Sequence, residues 1–285
     1  MSETSLLLLA GGLGSRFGGT KQLADVGPDG AAILDHSIRE ARAAGIENIV
    51  VIGRSDLDAD LRGHLASQHP DFEPVVVHQD AYGPPRAKPW GTGHAVVSAL
   101  SVVDGPVVIL NADDHYGPTG IARVVVGLGA RPHDGMARGA MLGFRLGRTL
   151  PVAGAVSRGI CEVDADGQLV GLVETHGIHW TSGEDGASIW AADPAGPLSA
   201  DVPVSMNIWG LPAESVAALE DQWLAFHAAH ADSDTAEFLL PMALDEQRRD
   251  ARLVVNVLET DEEWIGITSR DDLEAARAAF AAMGA

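Results

Sequence analysis

The amino-acid sequence predicts an α/β fold: a doubly wound, mostly parallel sheet followed by an α+β portion. Three observations lead there. The apolar runs at Ser5 to Leu9, at 48–53 (NIVVIG) and at 106–114 (PVVILNADD) have the continuous hydrophobicity of strands buried on both faces. Between them lie segments with apolar residues at helical spacing, from Ile33 to Ala44 and from Thr92 to Leu100. After Ala140 the texture changes to alternating strands, as in GICEVDADGQLVGLVE, where DADG reads as a hairpin turn.

Taken in order, the first strand runs into Gly11, Gly12 and Gly14, which predicts a tight strand-to-helix loop. Gly45 ends the first helix, and the strand at 48–53 completes a βαβ unit. The segment EPVVVHQD, the helix from Thr92 and the strand ending at Asp114 repeat that pattern. Residues from Thr181 to Asp201 are rich in Gly, Ala, Ser, Asp and Pro and are expected to form an exposed loop. Glu214 to Ala231 and Asp271 to Met283 read as helices, and LVVNVLE near Leu253 as a strand. With 285 residues and 46% hydrophobic content the chain can bury a substantial core. One domain over 1–285 is expected, with a nucleotide-binding part at 1–140 and an acceptor-binding part with a closing strand and helix at 141–285.

Forty acidic residues against 19 basic ones give a net charge of −21, which excludes a surface built to grip nucleic acid or anionic lipid. Any phosphate binding must therefore be local. The apolar stretch in MSETSLLLLAGG is too short to span a bilayer and lacks the basic flank of a signal peptide, so a cytoplasmic protein is expected. Cys161 is the only cysteine, which excludes an internal disulfide and a multi-cysteine zinc site; it reads as an inert strand residue. No heptad pattern marks an oligomer, and a homo-oligomer is compatible with the sequence.

The loop LAGGLGSRFGGTKQL, from Leu9 to Leu23, carries most of the chemistry. A dinucleotide fingerprint needs a small third residue to pack helix on strand, and Phe17 stands there. A P-loop needs lysine directly after its last glycine and then a hydroxyl residue, whereas Gly19 is followed by Thr20 and then Lys21. The remaining reading brings backbone N–H groups close to a triphosphate, with Arg16 and Lys21 supplying positive charge.

At these residues the sequence closely resembles the sugar-phosphate nucleotidyltransferases, whose signature is a strand, two adjacent glycines, a Gly-Ser/Thr-Arg triplet and a following lysine. The family usually has Pro-Lys where this chain has Thr20-Lys21. Pro89 to Ala95 (PWGTGHA) resembles the family's base-recognition turn, and Thr92 is also a plausible helix N-cap. The strand ending in Asn111-Ala112-Asp113-Asp114 puts carboxylates where open α/β sheets bind ligands.

The resemblance implies a Rossmann-like nucleotidyltransferase fold of the single-domain subgroup without a β-helix extension. It implies transfer of a nucleoside monophosphate from a nucleoside triphosphate to a sugar-1-phosphate, with magnesium as cofactor. Arg16 and Lys21 would be catalytic. Leu9, Ala10, Gly11, Gly12, Gly14, Ser15, Gly91 and Thr92 would bind the nucleotide, and Gly159 and Glu174 the acceptor. Asp113 and Asn207 would hold the metal, with Asp114 beside them. The acidic residue often found two places after the family's tryptophan is Gly266 here, after Trp264. A cyclitol phosphate or another phosphorylated small molecule is an alternative acceptor, and a non-catalytic nucleotide-sugar sensor an alternative function.

Overall fold

A computed structural model describes residues 3–12, 20–27, 29–129, 136–183, 186–267 and 270–283. The chain begins with β1 (Ser5–Leu9), α1 (Ile33–Ala43), β2 (Asn48–Gly53), α2 (Asp58–Gln68), β3 (Val75–His78), α3 (Thr92–Ser98), β4 (Val107–Asn111), β5 (Asp114–His115) and α4 (Gly120–Gly129). It continues through β6 (Ala137–Arg145), β7 (Val156–Val163), β8 (Leu169–Gly183), β9 (Gly186–Ala192), β10 (Ala195–Leu198) and β11 (Pro203–Leu211). Then come α5 (Ala213–His230), α6 (Leu240–Arg249), β12 (Leu253–Thr260), β13 (Ile265–Gly266) and α7 (Asp271–Met283).

One sheet runs through the molecule in the order β10-β9-β8-β7-β11-β4-β1-β2-β3, with β6 beside β11 and β12 beside β6. The four strands β3, β2, β1 and β4 are parallel, as continuous apolar runs joined by helices require. Their side chains alternate between two cores. Leu6, Leu8, Val51, Val108 and Leu110 face the helices α1, α2 and α4, whereas Leu7, Val50, Ile52, Val107 and Ile109 face α3, α5 and α6. Helices on both faces make the sheet doubly wound, and the expected α/β class stands.

From β11 outward the pairing turns antiparallel through β7, β8, β9 and β10. The expected hairpin at DADG joins β7 to β8, its turn held by Asp164 Oδ1, which accepts from the N–H groups of Asp166 and Gln168. Gly167 supplies the positive φ, 78°, that this turn needs. The exposed loop expected from Thr181 to Asp201 is instead strand for most of its length: the end of β8, then β9 and β10. Its polar, small-residue composition hid the pairing, because ladder hydrogen bonds use the backbone and an edge hairpin needs few apolar side chains. Thr181 and Ser188, directly opposite each other, also share a side-chain hydrogen bond of 2.7 Å.

Asp35, in the first turn of α1, is fully buried. Burial would raise its carboxyl, but hydrogen bonds from His64 and His69 and from the Ala32 N–H outweigh that and hold it at about 2, against an ordinary 3.8. A depressed folded-state value stabilises the fold above the ordinary value, and that contribution is lost as pH falls from about 4 toward 2. The gap corresponds to roughly 2 kcal/mol. Urea unfolding from pH 5 to pH 2 is therefore expected to show a fall in stability of that order that Asp35→Asn lacks; parallel pH profiles for the two proteins contradict the assignment.

Candidate active site

The parallel register sets the site's first wall. Leu9 at the end of β1 lies beside Asn111 at the end of β4, so the glycine loop and the Asn111–Asp114 turn leave the sheet at the same edge. Ala10 donates its N–H to Ile52 O at 2.8 Å, and Ala112 donates to Leu9 O at 3.1 Å, which fixes the two exits against each other. Gly11 and Gly12 are then gripped by glutamines. Gln79 Nε2 donates to Gly11 O at 3.1 Å and Gln22 Nε2 to Gly12 O at 2.9 Å, both from buried side chains. A Cβ on Gly11 would lie 2.3 Å from Gln79 Nε2, so glycine is what lets this grip form.

Gly14, Ser15 and Arg16 lie outside the described residues. Lys21 opens a short 3₁₀ turn, and its Nζ is in direct contact with Asp113 Oδ2. The first loop and the β4 turn are thus joined by an ion pair of the two residues that sequence reasoning assigned separately to catalysis and to metal.

The second wall comes from the antiparallel strands. β11 runs beside β4, and an irregularity in its register between Ser205 and Trp209 leaves Asn207 at φ 66°. Asparagine tolerates that left-handed conformation better than most residues. The irregularity turns Asn207 toward β4, where its Nδ2 donates to Asn111 Oδ1 at 2.7 Å while its Oδ1 accepts from Trp209 Nε1 at 3.1 Å. Among the described residues one lone pair of that amide oxygen is left free. Register then carries the wall outward: Ser205 pairs with Gly159 on β7, and Gly159 with Glu174 on β8.

The result is one cleft of about 460 Å³ whose lining includes Thr92, Asp113, Gly159, Glu174 and Asn207. Five residues assigned from scattered sequence positions meet there. Gly91, beside Thr92, has φ 109°, and a Cβ on it would lie 2.6 Å from Phe238 O. Thr92 is not the N-cap of α3; that position is Gly91, and the Thr92 hydroxyl accepts the Leu240 N–H at 3.0 Å, tying α3 to the start of α6. His94, in the same helical turn, is buried against Trp223 and pushed down to about 4 by that burial.

Asp114 shares the cleft but points inward. Its Oδ2 accepts from Asn111 Nδ2 at 2.8 Å, and burial together with the neighbouring Asp113 charge pushes its carboxyl up to about 7. A Cβ on Gly266 would lie 2.5 Å from Asp114 Oδ1, so the glycine two places after Trp264 leaves room for that carboxyl. Trp264 and Arg158 also line the cleft; sequence reasoning left both without a role there. Trp209 is core, and Trp180 and Trp190 sit on the β8–β9 extension away from the lining. Cys161 is buried in β7, its thiol pushed up to about 12 by burial, which agrees with an inert role.

Residues 6–119 match the MobA-like NTP transferase domain. Over 119 residues, 41% of this chain, the sequence is 31% identical to the bifunctional protein GlmU of Hyphomonas neptunium (strain ATCC 15444), and it spans 24% of that relative's length. The crystal structure of HddC from Yersinia pseudotuberculosis shares the fold, with a TM-score of 0.58 at 16% identity over 98% of this chain and 100% of that one. Among the described residues no helix is long and apolar enough to cross a membrane. The nucleotidyltransferase resemblance of the glycine loop and strand-end aspartate is thus a likeness, over residues 6–119, to the MobA-like NTP transferase domain.

Proposed function

We propose that this chain transfers a nucleoside monophosphate from a nucleoside triphosphate to a sugar-1-phosphate, releasing pyrophosphate. The observation that supports this reading is the meeting of Thr92, Asp113, Gly159, Glu174 and Asn207 in one cleft, with Lys21 held on Asp113. On this reading 1–140 binds the nucleotide and 141–285 the acceptor.

An oxygen of the acceptor phosphate attacks the α-phosphorus in line, the bond to the β-phosphate breaks, and pyrophosphate leaves with that electron pair. Both reactants are polyanions, so the protein's work is to bring them together and to offset the charge that grows on the α-phosphate and leaving group. Lys21 would bridge the α-phosphate and the acceptor phosphate. Arg16 is assigned to the leaving phosphates by its place in the loop sequence, where a guanidinium can fork two oxygens. Leu9 to Gly12, Ser15, Gly91 and Thr92 would hold the nucleotide, and Gly159 and Glu174 the acceptor. The attacking phosphate is already ionised near neutral pH and needs no general base.

Asp113 and the Asn207 amide are hard oxygen donors, the class that magnesium takes while leaving most positions to water and phosphates. Among the described residues no three His, Cys, Asp or Glu side chains are grouped to hold a metal alone, which suits an ion shared with a nucleotide. Bound there, magnesium would supply Lewis-acid neutralisation of the α-phosphate.

Pyrophosphate release, assayed over UTP, dTTP, GTP and CTP against sugar 1-phosphates and cyclitol phosphates with magnesium, tests the proposal. Release that requires both substrates is expected. Nucleotide binding without release in every pair would mean a sensor.

A further inference from the structure

Arg158 stands in the cleft without an ion-pair partner among the described residues. The arginines Arg54, Arg62, Arg145, Arg248 and Arg249 each make an ion pair with an aspartate, as befits a chain with 40 acidic residues. No carboxylate of the described residues lies within ion-pair distance of Arg158. Its donors go to neutral oxygens instead: Nε to Thr149 Oγ1 at 3.2 Å, Nη2 to Thr149 O at 2.5 Å and Nη1 to Ser157 O at 2.8 Å. The guanidinium also lies over the Trp264 ring, 5.2 Å from its centroid.

These contacts fix the fork in place and use three of its five N–H donors. Two remain. A half-buried guanidinium satisfied by neutral oxygens is costly to keep, since desolvating a charge without an opposite one beside it is unfavourable. Burial accordingly holds Arg158 below the usual arginine range, opposed by the more distant Asp114 and Glu174. The cleft lining places it: Arg158 shares that lining with Asp113 and Asp114 on one wall and with Gly159 and Glu174, the residues assigned to the acceptor, on the other.

We propose that Arg158 anchors the phosphate of the acceptor, its two remaining N–H groups forking two phosphate oxygens. The inference rests on the nucleotidyl-transfer reading for what the phosphate is attached to, and on the unpaired guanidinium alone for the anion. It also explains how a cleft lined by Asp113, Asp114 and Glu174 can admit a polyanion. Arg158 is an acceptor-binding residue that acts by charge and by bidentate geometry together.

The test compares wild type with Arg158→Lys and Arg158→Gln, folded as judged by circular dichroism and thermal unfolding. Calorimetric titration with inorganic phosphate and with glucose 1-phosphate is expected to weaken roughly 10- to 100-fold in Arg158→Gln, with Arg158→Lys between the two, and nucleotide affinity is expected to stay within threefold. In turnover, the KM for the phosphorylated acceptor rises and that for the nucleotide does not. Equal phosphate affinity in all three proteins overturns the anchor, as does a wild type that binds neither probe, or a parallel loss of nucleotide affinity. The two readings fail separately. If wild type transfers nucleotide and Arg158→Gln keeps its acceptor KM, only the anchor falls; if no pair of substrates turns over but phosphate binding depends on Arg158, only the transfer reading falls.

Discussion

Lys21→Ala is expected to lower pyrophosphate release by ~10²- to 10³-fold while the fold survives. Two magnitudes separate the effects. The Lys21–Asp113 pair is partly exposed, its side chains 20% and 15% accessible, so its loss costs the fold on the order of 1 kcal/mol or less. A domain is stable by roughly 5–15 kcal/mol, so that loss leaves it folded. On the proposed reading the same charge faces an α-phosphate whose negative charge grows in the transition state, where a preorganised cation is worth more than in the resting ion pair. Steady-state turnover beside thermal unfolding of the purified variant checks both halves. A rate within threefold of wild type would remove Lys21 from the chemistry.

Asp113→Ala is expected to do at least as much damage to the rate, and to change how it depends on magnesium. The carboxylate stands where the loop after β1 and the turn after β4 meet. Its loss removes a proposed ligand and leaves Lys21 without its partner. Titrating magnesium against pyrophosphate release should show half-activation displaced to higher concentration in Asp113→Asn, which keeps the shape and loses the charge, and no measurable activation in Asp113→Ala. Because Lys21 and Asp113 touch, the double variant should be little worse than either single one. Fully multiplicative losses, or an unchanged magnesium profile, would show that the two do not act as a unit.

Much of the site was legible because its residues are tied to features that sequence displays directly. A strand that ends in glycines, and one that ends in Asp113-Asp114, announce a ligand edge by their chemistry. Asn207 and Glu174 had weaker support, from resemblance alone, and they reach the cleft through strand register: Asn207 through the irregularity that points it at Asn111, and Glu174 through its pairing with Gly159. Gln22 and Gln79 went unassigned because a glutamine gripping a backbone carbonyl carries no spacing signal. Arg158 was invisible for a related reason: only the positions of the carboxylates show that none among the described residues pairs with it.

What the sequence by itself determined is the kind of fold, and it directed attention to one loop, since hydrophobic period and glycine, lysine and aspartate placement are local properties. The α/β order, both cores of the parallel strands and the terminal helix over Asp271–Met283 follow from it. The tertiary structure alone decided that the polar stretch after Thr181 joins the sheet, that Lys21 meets Asp113, and that an arginine in the cleft has no ion-pair partner among the described residues. The physical reason is common to all three. Backbone pairing, ion pairing and its absence are relations between segments far apart in the chain, and no local pattern encodes them.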